Sequence, residues 1–110
     1  MERATIETFI RTAAHRGGSV LWSRHAIARL VVHHLSREEV EISLGACTII
    51  EEYPDGHRAL PDCLVLAWLR ASEPFHAVIA VDTPNDRVFV VTVYRPDPAR
   101  WFDDWTRRRS

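Results

Sequence analysis

The clearest hydrophobic pattern in the chain lies in residues 75–96, where two runs of mostly β-branched and aromatic residues flank Thr83-Pro84-Asn85-Asp86. Proline sets φ for a turn, and Asn and Asp side chains bond to nearby backbone groups, so such a cluster between two runs of this kind is typical of a β-hairpin. A symmetric turn would pair His76 with Val93 and Phe75 with Tyr94.

The two faces of this predicted hairpin differ in polarity. One face is the more apolar and is expected to meet the core; it carries Phe75, Ala77, Ile79, Val81, Val88, Val90, Thr92 and Tyr94. The other face is apolar in its middle and brings His76 and Arg95 together at one end, which is the candidate site. A slip of one residue would exchange the faces, so this assignment depends on the register.

Helical spacing of apolar residues dominates the first half of the chain. Ile6, Phe9, Ile10 and Ala13 predict an amphipathic helix within residues 2–15, and Gly17-Gly18 ends it. Ser23 is a favourable N-cap for a second helix over residues 24–35, after a brief extended segment at residues 19–22.

The second helix has an apolar stripe of Ala26, Ile27, Leu30, Val31 and Leu35 with His34 at its centre, so His34 is interpreted as a hydrogen-bonded core residue. His25, Arg29 and His33 recur every four residues on the opposite side, which favours a solvated face.

A third helix, residues 37–44, is indicated by the capping box of Ser36 and Glu39 and by Gly45 at its end. Residues 47–53 and 63–70 then read as two strands joined through a turn at Pro54-Asp55-Gly56. Centring that loop pairs Ile49 with Leu66 and Cys63 with Glu52.

A short C-terminal helix is predicted because Asp97 and Pro98 form an N-cap with proline at the first helical position, and Trp101 and Trp105 follow at i, i+4. The last arginines, residues 107–109, read as a frayed, solvated end. The predicted fold class is therefore α+β: N-terminal helices packed on a twisted antiparallel sheet of about four strands in two hairpins, then a short C-terminal helix.

Composition narrows the function classes. The 110 residues predict a single domain, and 46% hydrophobic residues suffice for a core. A net charge of −1 excludes binding to nucleic acid by bulk charge, so any such binding needs a local patch of positive charge.

The expected compartment follows from two further features. No apolar run approaches the length of a membrane span, so a soluble cytoplasmic protein is expected. The two cysteines do not face each other in the predicted pairing, so their thiols are expected to be free. No metal-ligand spacing or Gly-rich nucleotide loop occurs, so neither a metal nor a small-molecule cofactor is expected.

Five motifs in order suggest a family: His25-Ala26-x-x-Arg29; residues 36–40; residues 49–55; residues 76–80; and Thr92-Val93-Tyr94-x-Pro96 with Trp101. Together they resemble the uncharacterised bacterial family called domain of unknown function 4258, over residues 22–107, with the first helix in residues 1–18 outside the match. That family is similar to the RelE-like and MqsR-like toxins of toxin-antitoxin pairs. The resemblance implies a RelE-like fold, endoribonuclease activity, an RNA substrate and an antitoxin partner encoded by an adjacent gene. The polar motif residues of the family correspond to His25, Arg29, His76 and Tyr94 in this sequence.

Metal-independent RNA cleavage needs a base, an acid and cations around the phosphate, and histidine suits both proton roles because its pKa lies close to working pH. His76 and His25 are the candidate pair, with Tyr94 positioning phosphate or donating a proton and Arg29 and Arg95 binding phosphate. Structural alternatives stand beside these roles. His76 at a strand start could bond a carbonyl or carboxylate, Arg29 could pair with a glutamate of the third helix, and Tyr94 could pack in the core. At the level of function, the alternative is a non-catalytic module that binds a protein partner.

Overall fold

The computed structural model describes residues 2–53, 60–70 and 72–109. In chain order the elements are α1 (Arg3–Ala14), β1 (Val20–Trp22), α2 (Arg24–Val32), α3 (Arg37–Leu44), β2 (Thr48–Tyr53), β3 (Asp62–Leu69), β4 (Glu73–Asp82) and β5 (Arg87–Tyr94). The predicted α+β class is confirmed. The turn predicted at Pro54-Asp55-Gly56 lies outside the described residues.

The strands form one five-stranded mixed sheet in the order β1-β5-β4-β3-β2. The predicted sheet of about four antiparallel strands was incomplete, because the extended residues after α1 form β1 and pair with β5 in parallel. Three residues are too short for a strong period-2 signal, so only the tertiary pairing reveals this strand. None of the helices in the described ranges is long and apolar enough to cross a membrane.

The helices cover one face of the sheet, and the core lies between the two layers. Fully buried side chains from both layers fill it, including Ile10, Val40 and Leu44 from the helices and Phe75, Ile79, Val88, Val90 and Val93 from the strands. Of the four apolar positions that predicted α1, Ile10 and Ala13 are buried, and Ile6 and Phe9 are partly buried against the core.

Two helix predictions need correction. Helix α2 ends at Val32 rather than at residue 35, because His34 has a left-handed φ of 54° that breaks the helical path. As a result His34 is exposed rather than buried, and Val31 is 75% exposed. In α3 the Ser36 side chain accepts from the Glu39 amide as predicted, but the Glu39 carboxylate contacts Arg70.

The C-terminal segment, residues 97–109, is not the predicted helix. One turn forms after Asp97, whose carboxylate accepts from the Ala99 amide, but Trp105 has φ 64° and the chain folds back into a bridge between Trp101 and Arg108. The i, i+4 spacing of the two indoles therefore reflects a compact loop, in which Trp101 is buried and Trp105 half-buried. The final arginines are ordered by ion pairs and are not a frayed end.

The β2–β3 register differs from the prediction at one position. Glu52 pairs with Cys63 as predicted, but Ile49 pairs with Val65 rather than Leu66 because a bulge falls between Ile49 and Glu51. Burial raises the pKa of the Cys63 thiol, and likewise that of Cys47, to about 12, which keeps these free thiols protonated and unreactive.

Candidate functional site

A bulge in β5 decides what lies beside His76. Near the turn the hairpin has the predicted register, with Val81 opposite Val88, but an irregularity between Val78 and Ile79 shifts the pairing, so that His76 faces Tyr94 instead of Val93. Tyr94 therefore leaves the core face to which the sequence pattern assigned it, and Val93 is buried in its place. A bulge adds one residue to one strand, and every later side chain then changes face.

Ser23 links this bulge to the start of α2. Its amide donates to the Val90 carbonyl at 3.0 Å, and its hydroxyl donates to the Val91 carbonyl at 2.8 Å while accepting from the Ala26 amide at 2.9 Å. One serine thus caps the helix, as predicted, and holds two carbonyls of the irregular strand. The helix start and the strand end are fixed relative to each other as a result.

His76 is fully buried, and both of its ring nitrogens have partners. Nε2 lies 2.8 Å from the carbonyl oxygen of Trp105, and Nδ1 lies 3.1 Å from the hydroxyl of Tyr94. A carbonyl can only accept, so Nε2 carries the proton of the neutral ring and Nδ1 accepts from Tyr94. Desolvation by burial is the main cause that lowers the pKa of His76, which keeps this imidazole neutral at neutral pH.

Tyr94 connects buried His76 to an open pocket. Its ring packs edge-on against the His76 ring with centroids 5.3 Å apart, and its side chain lines a cavity of about 420 Å³. Burial raises the pKa of Tyr94, so the hydroxyl keeps its proton at neutral pH. The pair is therefore neutral at rest, with a hydroxyl between the imidazole and the pocket.

We call this cavity the arginine pocket; it is lined by Arg29, His33, Tyr94, Arg95, Asp97, Arg100, Trp101 and Arg108. Two of its guanidinium groups are already engaged by carboxylates, since Arg95 pairs with Glu73 and Arg108 with Glu51. Among the described residues, no carboxylate lies within ion-pair distance of Arg29 or Arg100. Those two cations are therefore available to an anion that enters the pocket.

His33 contacts both Arg29 and Arg95 in the lining of the pocket. Its Nε2 is 2.6 Å from Nη2 of Arg29, and its Nδ1 accepts from the Arg95 amide at 3.2 Å. Desolvation and the charges of Arg29 and Arg95 lower the pKa of His33. The prediction of a solvated face for this side of α2 is therefore wrong for Arg29 and His33, which turn toward the end of β5.

Arg95 clasps the end of α2. Its Nε donates to the His33 carbonyl at 2.8 Å, and its Nη2 to the His34 carbonyl at 3.2 Å. These carbonyls lack helical partners because the helix has ended, so a guanidinium there satisfies them. The contacts give Arg95 a structural role in shaping the pocket in addition to its place in the lining.

His25 does not belong to the arginine pocket. It is exposed, and its Nε2 lies 3.1 Å from the Thr92 hydroxyl, whereas His76 bonds Tyr94 and Trp105 from inside the fold. The structure therefore brings together Arg29, Tyr94 and Arg95, with His76 behind them, and His25 is not among the residues that line the pocket.

Several residues at the site were missed by the sequence reasoning. Arg108 contacts both carboxylate oxygens of Glu51, at 2.6 and 2.9 Å, and the Tyr53 hydroxyl donates to Glu51 at 2.5 Å. The Arg108 hydrogen bond is the main cause that lowers the pKa of Glu51. A run of three arginines at a chain end carries no local sign of such pairing, so no sequence signal distinguishes Arg108 from its neighbours.

A second cavity differs from the arginine pocket in its chemistry. It has a volume of about 420 Å³ and lies beside Ile6, Cys63 and Pro84, and the described residues of its lining include carboxylates but no arginine or histidine. Within the described part of the whole chain, no three His, Cys, Asp or Glu side chains converge as metal ligands.

A family model described as Domain of unknown function (DUF4258) matches residues 22–95, well over half of the chain. This chain belongs to the DUF4258 family. No curated protein and no solved structure matches it. The DUF4258 match contains His76 and Tyr94 and ends at Arg95. The sequence motifs predicted that it would extend to residue 107, so the C-terminal segment lies outside the match.

The burial of His76 should make the free energy of unfolding depend on pH. The pKa of His76 is lowered in the folded chain, so below its ordinary value of about 6.5 the unfolded chain binds a proton that the folded chain does not. The free energy of unfolding should therefore fall as pH drops from 7.5 to 5, by up to about 1.4 kcal/mol per pH unit from this group.

Urea unfolding at a series of pH values measures this slope. His76→Asn should flatten the decline and leave a contribution of the same sign from His33, whose pKa is also lowered. Equal slopes for wild type and His76→Asn would show that His76 titrates alike in both states.

Proposed function

We propose that this protein binds single-stranded RNA in the arginine pocket and cleaves it without a metal ion, as the toxin of a bacterial toxin-antitoxin pair. The observation that supports this most is that Arg29 and Arg100, which make no ion pair among the described residues, line the same cavity as Tyr94, whose hydroxyl is hydrogen-bonded to His76. When a 2′-hydroxyl attacks the neighbouring phosphodiester, a side chain must take its proton and cations must stabilise the charge on the phosphate. This cavity contains both kinds of group.

Binding would depend on local charge. The chain has a net charge of −1, so bulk attraction for RNA is absent. Arg29 and Arg100 supply the unpaired cations, and guanidinium is the side chain best suited to grip two phosphate oxygens at once. Arg95 and Arg108 would support the pocket wall through their glutamate pairs.

The proton step follows from the tautomer of His76. Because Nδ1 already accepts from Tyr94, the Tyr94 oxygen can take the proton of the 2′-hydroxyl as its own proton moves to Nδ1. The 2′-oxygen then bonds to phosphorus and the bond to the 5′-oxygen breaks, giving a 2′,3′-cyclic phosphate and a 5′-hydroxyl after the leaving oxygen takes a proton from solvent. The His76 imidazolium returns its proton to solvent through Tyr94. In this scheme Tyr94 is the catalytic residue and His76 a positioning residue.

The partner is part of the same proposal. RelE-like and MqsR-like toxins are the proteins that the sequence motifs resemble, and an antitoxin encoded by an adjacent gene would neutralise the activity in the cytoplasm by blocking access to the arginine pocket. Arrest of growth on expression, relieved by coexpressing the neighbouring protein, is the cellular result expected.

Charge removal in the pocket tests the binding step. Arg29→Gln and Arg100→Gln should each weaken binding of a fluorescently labelled single-stranded RNA by about tenfold, the value of one charge-assisted contact. Each should also reduce the slope of log affinity against log salt by about 0.7. The measurement is fluorescence anisotropy in EDTA at several salt concentrations.

Arg24→Gln is the matched control, because Arg24 is an exposed arginine of the same helix that does not line the pocket. Equal losses for Arg24, Arg29 and Arg100 variants would mean that RNA is held by general surface charge, and unchanged affinity in all three would remove the pocket from the proposal.

A second candidate function is a non-catalytic protein-binding module. It is favoured by the exposed apolar side chains of α2, with Ile27 38%, Val31 75% and Val32 59% exposed. A binding module should cleave no RNA at any protein concentration and should not arrest growth. The ribonuclease proposal requires both RNA cleavage and growth arrest.

A further inference from the structure

The C-terminal segment lies directly over His76. The Trp101 indole is 3% exposed and stands edge-on to the His76 ring at a centroid distance of 4.3 Å and an angle of 81°. The Trp105 carbonyl accepts from His76 Nε2. These two contacts cover one edge of the imidazole, while Tyr94 occupies the other.

The segment is joined to the sheet by few polar contacts. Among the described residues, Trp105 and Arg108 alone connect it to the strands by hydrogen bonds, to His76 and to Glu51 respectively. Its other bonds close the segment on itself, such as Phe102 amide to Arg107 carbonyl and Arg109 amide to Arg100 carbonyl. A unit that is bonded mainly to itself can move as one body without breaking the sheet.

Arg108 contacts both the sheet and the indole that covers His76. Besides its two contacts to Glu51, its guanidinium carbon lies 4.8 Å from the centre of the Trp101 ring. The same side chain therefore holds the sheet and stacks on the indole that covers His76. Arg108 itself makes no described hydrogen bond to His76.

Acid-base groups share the sheet face beneath the segment. Glu51 pairs with Leu64 on β3, and His76 pairs with Leu66 on the same strand and with Tyr94 on β5. Since alternate residues share a face, these pairings place Glu51, Tyr53, His76 and Tyr94 on the face opposite the helices. Thus a carboxylate, an imidazole and two hydroxyl groups lie together where the segment covers them.

The segment is also an addition to the family domain. The DUF4258 match ends at Arg95, two residues before the segment starts, while Glu51, Tyr53, His76 and Tyr94 all lie within it. The covered groups therefore belong to the shared domain, and the covering residues do not.

We infer that residues 97–109 form a displaceable cover that Arg108 latches to Glu51, and that its displacement exposes His76 and Glu51 to solvent. The cover itself stands on the contacts above; its consequence for RNA cleavage rests on the proposed function. With Arg108 displaced, Glu51 loses the main cause of its lowered pKa and becomes a second proton-exchanging group beside His76. Because Arg100 and Trp101 belong to the segment, only the closed arrangement contains the complete arginine pocket.

Chemical modification of His76 tests the latch without using catalysis. Wild-type protein should react slowly with diethyl pyrocarbonate at His76 and rapidly at exposed His25, as followed by mass spectrometry of the peptides. Arg108→Gln should raise the rate at His76 by about fivefold, the effect of losing a partly exposed ion pair on the open population. Glu51→Gln removes the same ion pair from the other side and should give the same increase.

Arg107→Gln is the matched control, because Arg107 pairs with Asp104 within the segment and leaves the latch in place. Circular dichroism and modification at His25 report whether each variant is folded. Unchanged protection of His76 in both folded latch variants would overturn the cover, and an equal increase in Arg107→Gln would do the same.

The cover and the proposed function can fail separately. If His76 becomes reactive in the latch variants but no protein of the set cleaves RNA, the cover stands and the ribonuclease proposal falls. If wild type cleaves RNA while His76 stays protected in both latch variants, the ribonuclease proposal stands and the cover falls.

Discussion

Replacing Tyr94 with phenylalanine is expected to lower the rate of RNA cleavage by about 10²- to 10⁴-fold, the usual contribution of a proton-transferring side chain. The variant keeps the ring that packs against His76 at 5.3 Å and removes only the oxygen that lies 3.1 Å from Nδ1. Single-turnover cleavage of a labelled RNA in EDTA measures the effect, with protein in excess over RNA.

The loss should appear in the rate of the chemical step and not in affinity. Arg29 and Arg100 remain in place, so binding measured by anisotropy should stay within about twofold of wild type, since only a proton transfer is removed. His25→Gln is the control, because His25 lies outside the arginine pocket, and it should cleave at the wild-type rate. A Tyr94→Phe protein as active as wild type would exclude Tyr94 from catalysis, and an inactive wild type would end the ribonuclease proposal.

Replacing Phe75 with alanine is expected to reduce the free energy of unfolding by about 3–5 kcal/mol, as for other large buried side chains. Phe75 is fully buried on the face of β4 that meets the helices, and the side chain is among the largest in the core. The cost combines lost burial with a cavity that strands held on both sides cannot close. Urea denaturation followed by circular dichroism measures it.

Phe102→Ala is the matched control for the core. Phe102 is 36% exposed in the C-terminal segment, so its removal should cost less than about 1 kcal/mol. Equal losses for the two phenylalanines would show that the sheet core does not dominate stability. Phe75→Ala should also keep its RNA affinity under conditions where it remains folded, because Phe75 and His76 lie on opposite faces of the strand.

The central hairpin was predicted well near its turn and poorly at its open end. Thr83-Pro84-Asn85-Asp86 forms the turn, and Asp86 adopts the left-handed φ of 58° that Asp tolerates. Farther along, the bulge moves Tyr94 to the face of His76. Nothing local in the run of valines near Val91 marks the extra residue, because the bulge is held by Ser23, far away in sequence.

The candidate site was therefore partly predictable. Arg29 and Tyr94 were identified from motifs and Arg95 from the faces of the predicted hairpin, and all three line one pocket. The structural alternative for His76 was a bond to a carbonyl, and His76 does bond the carbonyl of Trp105. Nothing in the sequence indicates that Trp105 supplies this carbonyl. A helix was expected at residues 97–109, and a helix would not have laid a backbone carbonyl over the imidazole.

Sequence by itself determined the presence of α1, α2 and α3, the capping serines, the hairpin turn and the α+β class, because these depend on periodicity and on contacts between residues close along the chain. Tertiary structure alone decided the parallel strand β1, the side of the sheet on which Tyr94 stands, the burial of His76 and the pairing of Arg108 with Glu51. Each of these depends on contacts between residues distant in sequence, and neither spacing nor propensity encodes which distant groups will meet.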